Sequence, residues 1–177
     1  MTQDDGESRT DFDIVDPAEH LARSAASYRV VKAMGDALAR SAHNMEDYFH
    51  EDFQWRGNVG SGTKNGLAEF RRNWQRPFRA AFADRIYTSE QYLADGDWVA
   101  CFGICEATHA GTFMGIAPTG KRVRIPYMDF WKVEDGRIKD NPVFVDLASV
   151  CLQLGRDVFG GEGWEAFDRG EKEPPPF

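Results

Sequence analysis

Cysteine, basic charge and long apolar runs are all scarce in this sequence of 177 residues. Its three cysteines include no CxxC pair. Cys101 and Cys105 belong to a strand-like segment, and a separation of about 13 Å at strand rise is too long for a disulfide between them. The pattern indicates small core residues in a reducing compartment rather than redox or metal chemistry.

Positive charge is outnumbered, and the formal net charge is −8. Such a protein repels phosphate backbones and anionic lipid, so neither nucleic acid nor a membrane is an expected partner. No apolar run is long enough to cross a bilayer, and the opening MTQDDGESRTDFDIVD has no secretion-signal pattern. These observations predict a cytoplasmic protein with one domain over residues 17–155, a disordered or loosely docked tail over 1–16 and an extension over 156–177.

What the sequence does contain is two kinds of hydrophobic period. Apolar residues three and four apart predict a long amphipathic helix from Pro17 and a second helix with a break near Pro77, whose arginines are expected to face water. After Asp84 the period becomes two, with DGD, IAPTG and EDG as turns, which predicts an antiparallel meander of about four strands. The expected fold class is α+β: a cone-shaped barrel whose N-terminal helices pack on a curved, mostly antiparallel sheet.

Several motifs then occur together in a specific order. THAGTFMGIAPTGK, DGRI and the terminal QLG resemble the SnoaL-like polyketide cyclase (ester cyclase) family, within the nuclear transport factor two-like, ketosteroid-isomerase-like cone fold. The resemblance extends upstream through DYFHEDFQW and GTKNGLAEF and covers about Val30 to Gly155. It implies a cavity without metal or organic cofactor, acid/base closure of a polyketide ring by an intramolecular aldol step, and a homodimer formed through the outer sheet face.

The resemblance also assigns positions. The family histidine falls on His109, and the family's acid/base aspartate falls on Val143, a clear departure. A second family aspartate is retained as Asp146, and a frequent polar position of the preceding strand falls on Asp129. Because valine cannot transfer a proton, a module that binds a hydrophobic ligand or dimerises without catalysis is the alternative to an enzyme.

Asp129 is unusual because it lies within the apolar stretch RIPYMDFWKV, where an unpaired carboxylate costs on the order of several kcal/mol. Strand alternation places it on one face with Tyr127 and Trp131. On a concave face it would border a cavity, its pKa would rise, and it could exchange protons beside a carbonyl group. On a convex face or at a dimer seam it would instead pair with an arginine such as Arg124 or Arg137.

Two further residues carry alternatives. A symmetric hairpin would bring His109 beside Asp129 as a dyad, whereas the other interpretation is a structural histidine that fixes the hairpin. Asp146 is either a catalytic partner or the N-cap of the helix LASVCLQLG. No metal site is expected, since Glu106 and His109 have opposite strand parity.

The expected ligand is a small hydrophobic molecule that contains a carbonyl group. Pro142 cannot donate to a strand ladder, so its strand is expected at an edge or bulged. Ligand contacts are expected from aromatic and amide side chains on both layers: Tyr127, Trp131, Asn141, Trp55, Trp74, Tyr28 and Phe78.

Overall fold

The computed structural model describes residues 16–39 and 45–176, and these form helices packed on one sheet. The helices are α1 (Pro17–Ala39), α2 (Gly66–Phe70), α3 (Arg76–Ala81), α4 (Leu147–Gln153) and α5 (Glu165–Asp168). The strands are β1 (Phe49–Gly57), β2 (Thr63–Asn65), β3 (Phe82–Asp95), β4 (Trp98–His109), β5 (Arg122–Glu134) and β6 (Arg137–Val145). Of the predicted tail, residues 1–15 lie outside the described part. Among the described helices, none is long and apolar enough to cross a membrane.

The sheet has the strand order β2-β1-β6-β5-β4-β3. Strands β3 to β6 form the predicted antiparallel meander, whereas β1 pairs with β6 in parallel. The α+β prediction is confirmed, with helices against a curved sheet, but the sheet is open, with β2 and β3 at its edges. An open sheet leaves the space under its concave face accessible.

The helix break predicted near Pro77 takes a specific form. A π-helical turn at Arg71–Gln75 joins α2 to α3, and Pro77 lies in the first turn of α3. Since proline lacks the N–H and its ring crowds the preceding turn, widening the helix before it relieves both problems. The widened turn carries Trp74, which stacks on Trp55 of β1 with ring centroids 4.7 Å apart.

The two faces of the meander differ in burial. On β4 the buried residues alternate with exposed ones, and the buried set includes Val99, Cys101 and Cys105. This inner face packs toward the helices, as strand alternation requires. On the outer face, Phe102, Met128 and Phe144 lie side by side in the register of β4, β5 and β6, and all three are exposed.

Pro142 is where the sheet departs most from expectation. Its strand β6 lies in the middle of the sheet, between β1 and β5, so the first predicted alternative, an edge, is wrong. The second alternative, a bulge, agrees with a register shift where β6 pairs with β5, between the Lys132–Asp140 and Val133–Ile138 pairs. The register places Pro142 opposite Phe130, whose carbonyl would receive the N–H that proline lacks. The side-chain nitrogen Nδ2 of Asn141 donates to that carbonyl instead, at 2.8 Å. An amide side chain thus replaces one backbone donor and lets proline occupy a central strand.

Candidate functional site

A cavity of about 980 Å³ lies between the inner face of the sheet and helices α1 to α3. It is bounded by Val31 and Met34 of α1, Phe70 of α2 and Ile125 of β5, among other apolar side chains. Its volume is at the upper end of the range of about 300–1,000 Å³ that small-molecule sites usually occupy. The space can therefore hold a ligand of several rings.

Asp129 brings a carboxyl group to this cavity. It lies between Cys101 of β4 and Val143 of β6 in the register, and all three residues line the cavity. Burial raises the pKa of Asp129 to about 6, and the hydrogen bond from Asn141 to Oδ1, at 3.1 Å, opposes that rise. Asp129 is half-buried and borders the cavity. A carboxyl in this state can accept and return a proton near neutral pH.

The alternative that placed Asp129 on a convex face beside an arginine is wrong. Arg124 instead approaches Glu106, at 3.9 Å, on the outer face. Arg137 lies at the β5–β6 turn, opposite Glu134 in the register. Asp129 therefore faces inward, with desolvation rather than a cation setting its ionisation.

A chain of hydroxyl groups lies beside Asp129. The hydroxyl oxygens of Tyr127 and Ser89 are 3.0 Å apart, and Tyr92 donates to Ser89 Oγ at 3.3 Å. Burial raises the pKa of Tyr127 to about 12, and burial raises the pKa of the Cys101 thiol to about 11. These groups consequently keep their protons at neutral pH and can donate to an oxygen that becomes negative.

The sequence does not predict that Ser89 and Tyr92 both lie at the cavity, and the reason is physical. They are three residues apart on β3, so simple alternation assigns them to opposite faces. The pairing of β3 with β4 shifts between Ser89 and Gln91, and this irregularity brings both side chains to the cavity. No feature of the sequence marks the position of such a bulge.

Most of the residues predicted to contact the ligand lie at the wall of the cavity. Trp55 and Trp74 stack at 4.7 Å, and Trp74 and Phe78 stack at 5.3 Å. The predicted contact residues that border the cavity are Tyr127, Trp131, Asn141, Trp55, Trp74 and Phe78. Tyr28 does not border it: its ring packs against Tyr92, with centroids 5.8 Å apart, and is 36% exposed.

His109 lies far from Asp129, so the prediction of a His–Asp dyad is wrong. Because β4 pairs Cys101 with Asp129, His109 is eight residues further along the strand, about 27 Å away. Its Nδ1 accepts a hydrogen bond from the Thr119 N–H at 3.3 Å, and its ring packs between Phe82 and Phe113. His109 fixes the β4–β5 connection, as the alternative interpretation proposed.

Asp146 has a structural position as well. Its Oδ1 accepts a hydrogen bond from the Ser149 N–H at 2.9 Å, which makes it the N-cap of α4. The side chain is exposed and does not line the cavity. Of the two predicted roles for Asp146, the N-cap is the one observed. The catalytic role is wrong, because the carboxyl is directed to the helix and away from the cavity.

Charged side chains surround part of the cavity. Arg71, Arg79, Arg85 and Lys32 line it together with Asp36 and Asp129. The expectation that the arginines of the second helix face water holds for Arg72, Arg76 and Arg79, which are exposed, although Arg79 also lines the cavity. It is wrong for Arg71, which is half-buried at the cavity. Over residues 16–39 and 45–176, no three His, Cys, Asp or Glu side chains come together as metal ligands would.

Comparisons with known proteins agree with this geometry. The family model of the SnoaL-like polyketide cyclases matches residues 29–154. Nogalonic acid methyl ester cyclase of Streptomyces nogalater is 25% identical over 124 residues, which cover 68% of this chain and 90% of that protein. Aklanonic acid methyl ester cyclase DnrD of Streptomyces peucetius is 28% identical over 85 residues, covering 48% of this chain and 59% of the relative.

Solved structures give the same result for the fold. An NTF2-like protein from Burkholderia thailandensis superposes with a TM-score of 0.63 at 21% identity, covering 73% of this chain and 98% of the other. The family match spans well over half of the chain and includes every strand of the sheet, α2, α3 and the second half of α1. The chain belongs to the SnoaL-like polyketide cyclase family.

Proposed function

We propose that the protein is a cofactor-independent enzyme of the cyclase or isomerase type, acting on a polyketide-like carbonyl compound. Asp129 is the general acid/base. The observation that carries the proposal is the Asp129 carboxyl at the wall of a cavity of about 980 Å³, with a pKa of about 6. A base with a pKa near the working pH combines a useful charged fraction with enough proton affinity.

The relation of Asp129 to Val143 supports this assignment. The family resemblance places the usual acid/base aspartate at Val143, and Val143 lies directly opposite Asp129 in the ladder. Asp146 N–H donates to the Pro126 carbonyl at 2.9 Å, so even-numbered pairs of β5 and β6 exchange the hydrogen bonds. The Asp129–Val143 pair is then of the closer, non-hydrogen-bonded kind, with Cα atoms about 4.5 Å apart. The carboxyl thus serves the same region of the cavity from the neighbouring strand.

The proposed reaction needs no co-reactant. The Asp129 carboxylate removes a proton from a carbon next to a carbonyl group, which leaves an enolate. The enolate carbon forms a bond to a second carbonyl carbon of the same molecule, and the resulting alkoxide takes the proton back. Tyr127, whose hydroxyl stays protonated, stabilises the negative oxygen by donating a hydrogen bond. In an isomerase the first step is the same, and the proton returns to a different carbon.

Two assays with Asp129→Asn test this proposal. One follows deuterium uptake into the methyl group of 2-acetonaphthone in D₂O by NMR, and the other follows ring closure of nogalonic and aklanonic acid methyl esters. We expect Asp129→Asn to lose at least about 100-fold of either rate. Asp135→Asn is the matched control, because Asp135 lies in the exposed β5–β6 turn at a positive φ of 48° that asparagine tolerates. Full turnover in Asp129→Asn would remove Asp129 from the mechanism.

A non-catalytic ligand carrier is the second candidate, and the apolar Val143 at the family's acid/base position is the observation in its favour. A carrier would bind naphthyl ketones without exchanging their protons. Equal, slow exchange in the wild type and in Asp129→Asn, with undiminished binding, would support the carrier and contradict the enzyme.

We also propose that the protein forms a homodimer through the outer sheet face. Phe102, Met128 and Phe144 form one exposed apolar row, and Phe130 packs edge-on against Phe144 at 6.4 Å. Apolar patches of this kind on a soluble domain usually mark a protein contact. Sedimentation as a strict monomer at micromolar concentration would contradict the dimer.

A further inference from the structure

The cationic side chains around the cavity fall into two groups. Lys32 pairs with Asp36 on α1, and Arg71 pairs with Glu46. Arg79 and Arg85 have no such partner: across residues 16–39 and 45–176, neither guanidinium forms an ion pair with a carboxylate. Both side chains line the cavity, so they bring positive charge to its wall that no described carboxylate pairs with.

These two arginines lie beside each other and share the cavity wall with Tyr87. An Nη of Arg85 lies 3.4 Å from the Arg79 carbonyl oxygen, and Arg85 precedes Tyr87 by two residues on β3. Tyr87 as a whole is 58% exposed, yet burial raises the pKa of its hydroxyl, and the two guanidiniums oppose that rise. One Nη of Arg85 also donates to the carbonyl oxygen of Phe82. This hydrogen bond holds the Arg85 guanidinium against the backbone of the edge strand β3. Three hydrogen-bond donors of this kind, two of them charged, match the oxygens of an anionic group.

Resting on the proposed function, we infer that the substrate carries an anionic group, a carboxylate or a sulfonate, that binds to Arg79, Arg85 and Tyr87. Its apolar ring system then extends along the aromatic wall to Asp129. The inference adds a substrate feature to the reaction: an anionic group at the end of the ring system away from the reacting carbonyl, which would make such a molecule bind more tightly than a neutral ketone or ester. The uncharged end of the same molecule carries the reacting carbonyl group.

The sheet register sets the distance between the two ends. Tyr87 lies in the row with Cys105 and Ile125, whereas Asp129 lies in the row with Cys101, four residues further along β4. Four residues correspond to about 13 Å along the strand. Acids as small as acetate cannot span that distance, but a molecule of several fused rings can.

The same distance separates the substrate's anionic group from the negative charge that develops beside Asp129 during the reaction. The pKa of Asp129 is raised by burial and lowered by the Asn141 hydrogen bond, and Asp129 lies about 13 Å along the strand from the row of Tyr87. A substrate anion held at the arginines therefore adds little repulsion to the enolate that forms beside Asp129, because Coulomb energy falls with distance. One end selects and orients the molecule while the other exchanges the proton.

Two probes with the same rings test the inference. 1-Anilinonaphthalene-8-sulfonate carries a sulfonate, and N-phenyl-1-naphthylamine lacks it; both fluoresce when bound in apolar sites. We expect the full-length wild type to bind one molecule of either probe, with mutual displacement and with preference for the sulfonate. Arg79→Gln and Arg85→Gln should each weaken sulfonate binding about tenfold and change binding of the neutral probe less than twofold. Arg76→Gln, at an exposed position of the same helix that does not line the cavity, is the control.

Arg85→Lys guards against a folding effect, since it keeps the charge at a position whose guanidinium contacts the backbone. It should retain most of the sulfonate preference. Equal affinity of the wild type for the two probes would overturn the inference and leave the proposed function intact. Weaker binding of both probes in Arg79→Gln would also overturn it, because the arginine would then hold the cavity open instead of selecting charge. Failure of the wild type to bind either probe would remove the proposed function and the inference together.

Discussion

The side-chain nitrogen of Asn141 lies 3.1 Å from the Oδ1 of Asp129, and this contact links the sheet to the carboxyl. The same nitrogen lies 2.8 Å from the Phe130 carbonyl oxygen, which has no donor from Pro142. With two acceptors on one side, the amide of Asn141 has its NH₂ group fixed toward them. The backbone hydrogen bond that Pro142 cannot make thereby orients the Asn141 amide, which stabilises the charged form of Asp129.

The rate of proton exchange should rise with pH through about 6. Asp129 acts as a base only when ionised, and burial sets its pKa at about 6. A carboxyl-carbon NMR titration of the unliganded protein, assigned with Asp129→Asn, measures the same ionisation directly. A midpoint near the free-aspartate value of about 3.9 would contradict the site geometry.

Asn141→Ala should move that titration to higher pH, because it removes the hydrogen bond that favours the charged form of Asp129. It should also lower the free energy of unfolding by about 1–3 kcal/mol, since the Phe130 carbonyl loses its donor. Pro142→Ala restores a backbone N–H at the right place. The double variant should therefore regain part of the stability while keeping the raised pKa, and a double-mutant cycle by urea unfolding separates the two effects.

Asp129→Asn should stabilise the fold at pH 7 while abolishing proton exchange. The folded-state pKa of Asp129 lies above the unfolded value, so the folded state holds the proton more tightly. The stabilisation that this proton gives the folded wild type is complete below about pH 4 and is lost as the pH rises through about 6. Relative to the variant, the wild type should lose on the order of 3 kcal/mol of unfolding free energy between pH 4 and pH 7. Parallel pH profiles of the two proteins would contradict this account.

Tyr127→Phe should lower kcat by about 10- to 100-fold with little change in KM. The hydroxyl, held by Ser89 at 3.0 Å, is proposed to donate to the oxygen that becomes negative only during the reaction. Tyr48→Phe is a suitable control, as Tyr48 is partly buried against the core and does not line the cavity. A rise in KM at constant kcat would assign Tyr127 to substrate binding alone.

Much of this architecture follows from the sequence. The change of hydrophobic period predicts the helices and the meander, and alternation places Asp129 with Tyr127 and Trp131 on the cavity side. The resemblance to the family holds over nearly the range expected. These features depend on local periodicity, which a single sequence displays.

The remaining features depend on how strands are aligned. The position of His109 follows from the β4–β5 register, which a long connection leaves open. The cavity positions of Ser89 and Tyr92 follow from an irregularity in β3, and the central position of Pro142 follows from a side-chain donor. Arg79 is exposed, as the helical period predicts, but it also lines the cavity, a position that the period alone does not reveal.

The Asn141–Pro142 pair also constrains how this protein can evolve. A change at Asn141 that retuned the carboxyl would at once leave the Phe130 carbonyl without a donor in the middle of the sheet. If Pro142 were replaced first by a residue with an N–H, that N–H could donate to the Phe130 carbonyl. The same change at Asn141 would then cost much less stability. The order of substitutions therefore decides which variants a lineage can reach, and the proline is the first position to change.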